Sequence, residues 1–117
     1  MSGGRRGSAA SAASLGDLCA QAQVMIAAAL QQQPPRFGQE VDEIERTIVR
    51  LRDALIARLR QEQAAGADTA RTRRALDPVN TALSLVVGVE YPAGGIHRKL
   101  LEQAATVLGA VPAEALA

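Results

Sequence analysis

Arg71, Arg73 and Arg74 form the densest basic cluster in the chain. Three guanidinium groups this close could hold a phosphate or an acidic partner, and Arg5 and Arg6 could join them. Asp68 and Asp77 flank the cluster and no aromatic side chain lies near it, so a solvated helix face is the commoner outcome for such a run. The chain has one histidine, His97, followed by Arg98 and Lys99. It also has one cysteine, Cys19, which excludes an internal disulfide and any metal site built on several thiolates. With Leu18 and Ala20 beside it, Cys19 reads as a packing residue. No Ser-His-Asp spacing, glycine-rich phosphate loop or clustered set of histidine and carboxylates is present. These residues imply no metal and no cofactor, and favour a non-enzymatic protein.

The elements that must carry these side chains are helical. From Gln39 to Ala65, Val41, Ile44, Ile48, Leu51, Leu55 and Leu59 recur every three or four residues, which is one apolar stripe on a long helix. Acidic Glu40, Asp42, Glu43 and Glu45 crowd its start, while Arg50, Arg52, Arg58 and Arg60 fill its later turns, as the helix dipole favours. Gly66 supplies the stop. Before this helix, Ser14 and Asp17 form the pattern of a capping box, and Leu15, Leu18, Ala22, Met25, Ile26 and Ala29 follow on one face until Pro34 and Pro35 prevent continuation.

Asp68 can cap a third helix, which Asp77-Pro78 should kink or restart. The run Ala82–Val89 is almost wholly apolar and rich in valine, so a buried strand competes there. Helix is preferred because no second strand exists to pair with it. Tyr91–Gly95 is a turn by composition. A fourth helix carries Ile96, Leu100, Leu101, Ala104, Val107 and Leu108, with Gly109 at its end.

Short connections make sequential helices antiparallel, so the expected fold is all-α, an up-down-up-down four-helix bundle spanning residues 14–109. Residues 1–13 read as a disordered tail and 110–117 as a fraying one. The expected core is Leu18, Met25, Ile26, Ile44, Ile48, Leu51, Leu55, Val79, Leu83, Val86, Leu100, Ala104 and Val107. At 117 residues this is one domain that can fold without staples.

Phe37 and Tyr91 are the only aromatics and the net charge is +1, which together argue against sequence-specific nucleic-acid binding and against an anionic membrane partner. No apolar run approaches the ~20 residues needed to span a bilayer. The segment after Arg5-Arg6 is too weakly apolar for an export signal, although the acid-free first sixteen residues leave an organelle presequence open. A cytoplasmic location fits the cysteine usage.

Two resemblances attach to these residues. A lone histidine near a lysine on a bundle helix is similar to a histidine phosphotransfer domain, which implies His97 as phosphoacceptor with Arg98 or Lys99 steadying the charge. The lysine stands two residues after the histidine rather than three, and the usual glycine after it is absent. The second helix, with its run Leu51–Leu59, resembles the long helix of bundle-type chorismate mutases, which implies an enzyme surrounding a small anionic substrate with arginine and lysine. Its arginines mostly lie off the apolar stripe.

A different feature points toward partners. The third helix carries Leu76, Val79, Leu83, Val86 and Val87 on one side, and Pro78, Ala82, Leu85 and Val89 on nearly the opposite side. A helix with two apolar faces is central in its own fold or pressed against another subunit. The functional expectation is a protein-interaction or oligomerisation module, a homo-oligomer or a complex with another protein, with Leu85 and Val89 as anchors beside Ala82 and Pro78.

Overall fold

The computed structural model describes residues 14–31, 37–89 and 96–117, and of residues 37–39 and 96–97 it describes the helical backbone alone. The expected tail at 1–13 and the turns at 32–36 and 91–95 lie outside the described residues.

Among the described residues four helices form, α1 (Leu15–Leu30), α2 (Phe37–Ala65), α3 (Ala70–Val89) and α4 (Ile96–Gly109), followed by a 3-10 turn at Ala113–Leu116. Their ends are set locally. The Ser14 hydroxyl accepts the Asp17 N–H at 3.0 Å and the Asp17 carboxylate accepts the Ser14 N–H at 3.4 Å, which completes the capping box. At the end of α2, Gly66 adopts φ +67°, so its N–H reaches Gln63 O at 3.2 Å and the Ala67 N–H reaches Glu62 O at 2.8 Å. That pair of bonds is a Schellman motif, and it requires the left-handed conformation that glycine adopts without a steric cost. The Asp68 carboxylate then accepts the Ala70 N–H at 3.0 Å and opens α3. Pro78 sits inside α3, which runs unbroken to Val89 with its valines helical.

α1 packs on α2, α2 on α3, α3 on α4 and α4 on α1, with no diagonal contact between helices among the described residues. Side-chain pairs fix the directions. Cys19, early in α1, meets Leu108, late in α4, while Arg98, early in α4, meets Leu30 at the end of α1. Arg58 near the end of α2 meets Thr72 at the start of α3, and Met25 late in α1 meets Thr47 early in α2. A Cβ placed on Gly88 would lie 3.4 Å from Leu100 Cδ1, which brings the end of α3 against the start of α4. The chain is an up-down-up-down four-helix bundle with α2 as its spine, about 43 Å long at ~1.5 Å per residue over 29 residues.

The core is apolar apart from buried Thr47 and Thr72. Ile26, Ile44, Ile48, Leu51, Leu55, Val79, Val86, Leu101, Ala104 and Leu108 are its fully enclosed centre, joined by Leu18, Cys19 and Val41. The fourth helix differs from its expected register. Leu101 and Leu108 face inward, and Leu100 and Val107 lie on the flank, half-buried. Met25 and Leu83 are also flank residues.

Residues 110–117, expected as a fraying tail, pack on the bundle in this structure. Val111 and Ala115 are buried, and the 3-10 turn packs on both α3 and α1. Those two helices sit diagonally across the bundle, so the turn plugs the end at which α1 and α3 begin and α2 and α4 finish.

Candidate functional site

The densest polar geometry lies at that plugged end. The Thr72 side chain is fully buried, accepts a hydrogen bond from Arg58 Nε at 2.8 Å and donates toward the Glu62 carboxylate, whose oxygens lie at 2.8 and 2.9 Å. Arg58 and Glu62 form an i,i+4 ion pair at 3.8 Å with side chains only 16% and 15% exposed. The Arg58 guanidinium also donates to the backbone oxygens of Ala115 and Ala117, the latter at 3.1 Å. Burial lowers the Arg58 pKa from its ordinary value and the nearby charge of Arg71 lowers it further, while Glu62 opposes both. The guanidinium stays charged, as arginine does in proteins. The arrangement joins α2, α3 and the 3-10 turn through one cation.

From sequence alone Arg58 is one of the later-turn arginines that lie mostly off the apolar stripe, and Thr72 has no role. A signal was present. Leu51, Leu55, Arg58 and Glu62 follow the i, i+4, i+7, i+11 progression of the apolar stripe, and Thr72 precedes Leu76 and Val79 by four and seven. Polar residues on an inward stripe need partners, and here they supply one another.

Arg71, Arg73 and Arg74 are exposed on the first turns of α3, within one arc of about 160° on the side away from buried Thr72. Arg73 Nε donates to Thr69 Oγ1 at 3.0 Å. The His97 side chain lies outside the described residues. Of its neighbours, Arg98 donates to Leu30 O at 2.8 Å and pairs with Glu102 at 3.5 Å, which satisfies a carbonyl at the end of α1. Lys99 is exposed. Cys19 is buried with Sγ 3.6 Å from Leu108 O, and burial pushes its thiol above the ordinary 9.0. No group of three histidine, cysteine or acidic side chains able to hold a metal occurs among the described residues.

The two apolar sides of the third helix are corrected by its place in the ring. Ala82 and Val89 are buried in the bundle's own core together with Leu76, Val79 and Val86. On a 100° wheel the two stripes are about 120° apart, and the core lies between them. One flank faces α2 and the other α4, so neither Ala82 nor Val89 is left for a partner. Pro78 is half-buried and Val87 is 36% exposed.

Leu85 has a different position. It is half-buried on the wall of an open groove of 470 Å³ between α3 and α4, with Val107 opposite and Thr81, Lys99, Glu102 and Thr106 around it. A second open groove of 470 Å³ runs between the start of α1 and the 3-10 turn, lined by Cys19, Leu108, Val111 and Leu116. Arg46 and Arg50 line a shallow groove of 350 Å³ on the outer face between α1 and α2, with Glu43 beside them.

No family model, curated protein or solved structure matches this chain.

Proposed function

We propose that this chain is a helical interaction module that self-associates through the α3–α4 groove, with a second copy of the chain as the occupant. The observation that carries the reading is the groove itself. Leu85 and Val107 offer apolar surface that the chain's own helices leave half-covered, and Lys99 and Glu102 stand three residues apart on its rim. Two copies related by a two-fold axis can bring each Lys99 against the partner's acidic rim, so one surface complements itself.

Size sets the strength. The 14 residues of α4 define a face about 21 Å long and two helices, or about 20 Å, wide. That is roughly 420 Å² per copy, against about 800 Å² in a stable interface. Association is therefore weak and concentration-dependent, in the class of transient contacts.

Sedimentation equilibrium over a wide concentration range tests this. The average mass should climb from 12.2 kDa toward twice that value, and Leu85→Glu should hold it at the monomer with the helical circular dichroism intact. A wild-type chain that stays monomeric at the highest concentration, or a Leu85→Glu variant that unfolds, removes the reading.

A further inference from the structure

The 3-10 turn has the properties of a latch. It follows the end of α4 through Ala110 and Val111, whose N–H groups bond back to Thr106, Val107 and Leu108. It is held by two kinds of contact. Val111 and Ala115 insert small apolar surfaces, a fraction of what any of the four helices buries. Leu116 packs half-buried beside them, and the polar attachment is concentrated in one residue, because Arg58 donates to the oxygens of both Ala115 and Ala117. Arg58 is in turn held by Thr72 and Glu62, so the cation is already oriented before the turn docks.

The turn also forms part of the groove that contains Cys19. Leu116 and Ala117 line it together with Leu108, Gly109 and the start of α1, and the cysteine is 4% exposed. Cys19 does not depend on the turn for its own hydrogen-bonding, since its Sγ faces Leu108 O within the bundle.

We infer that segment 111–117 is a strap that opens as a unit from an otherwise intact bundle, with Arg58 as its latch, and that opening uncovers the apolar groove floor at Cys19 and Leu108. The helices keep their ring of contacts without it, because the strap bridges the diagonal pair α1 and α3 and interrupts none of the four adjacent pairings. Local opening of this kind draws on few buried contacts and on hydrogen bonds concentrated at one point.

As the only cysteine, Cys19 reports the opening directly. The experiment measures the rate at which an aromatic disulfide reagent labels it in the native protein, beside hydrogen exchange of the peptide covering 111–117. Arg58→Met keeps the stem of the side chain and removes every donor. It should raise the labelling rate by about tenfold or more, and raise exchange in 111–117 in step, while the amides of α1 to α4 stay protected. Ala115→Leu approaches the same state from the other side by overfilling a fully enclosed position and leaving Arg58 intact, and should raise both signals. Freed strap amides without faster labelling would show that the strap does not cover Cys19. A strap that stays protected in Arg58→Met would remove Arg58 as the latch, and loss of protection across all four helices in both variants would make the segment part of the core.

Discussion

Thr72→Val is the sharpest perturbation of the polar cluster. Valine matches threonine in shape, so no cavity forms and only the hydroxyl is lost at a fully buried position. That hydroxyl links Arg58 Nε and the Glu62 carboxylate, each at 2.8 Å, and a hydrogen bond to a charged group contributes about 1.5–3 kcal/mol. Two such bonds do not add in full. Arg58 and Glu62 retain some access to water and already stand 3.8 Å apart, so their direct pairing can tighten when the hydroxyl is gone. The expected loss is about 2 kcal/mol, which for a domain of this length lowers the melting temperature by about 8 °C. Urea and thermal denaturation followed by far-UV circular dichroism measure it. Thr72→Ser is the control, because it keeps the hydroxyl and should recover most of the stability. A loss below about 0.5 kcal/mol, or equal losses for valine and serine, would refute the claim that this hydroxyl organises the cluster.

Gly66→Ala should cost about 1 kcal/mol, because nothing lies within 4 Å of the added methyl and the whole penalty is the left-handed backbone at φ +67°. A thermal melt unchanged from wild type would show that the α2 terminus does not need that conformation. Cys19 gives a pH signature. Its pKa is raised in the folded state, so as pH climbs past the ordinary 9.0 the unfolded chain loses its proton first and stability falls, whereas below that value both states keep the proton and the contribution is complete. Urea midpoints at about pH 7.5 and about pH 10 should show a larger alkaline loss for wild type than for Cys19→Ala, and equal losses would remove the buried thiol as the cause.

What the sequence revealed about the fold was whatever is decided within one turn of chain. The box at Ser14 and Asp17, the stop at Gly66 and the cap at Asp68 involve residues no more than five apart, and all three act as their chemistry implies. The register of α4 was not legible in the same way. Leu100 and Leu101, like Val107 and Leu108, are neighbours 100° apart, and either member of each pair completes an apolar stripe. Only the positions of α1 and α3 choose Leu101 and Leu108, since the inward arc is defined by what stands on both sides of the helix.

The same argument explains why the third helix misled. In a ring of four helices each member touches two neighbours, so its covered arc is wide, and a wheel drawn from sequence divides that arc into two stripes when small residues occupy the middle. Ala75 does so in α3. The stripe that seemed to call for a partner is satisfied by α4. What escapes is the outer edge of that arc, where Thr81 and Leu85 meet Thr106 and Val107, because α4 is six residues shorter than α3 and its outer row ends in short or polar side chains. At the other end of the bundle the 3-10 turn crosses the diagonal and supplies the cover, whereas no described element crosses the α3–α4 flank. The polar cluster follows the same logic in reverse. Arg58, Glu62 and Thr72 were visible as polar interruptions of two apolar stripes, but their meeting depends on the reversal at residues 66–69 and on a turn 43 residues beyond Thr72, at Ala115. Apolar surface on a flank and polar groups on a stripe are both departures from the expected pattern. Here the second is resolved inside the chain, and the first is the surface on which the proposed self-association rests.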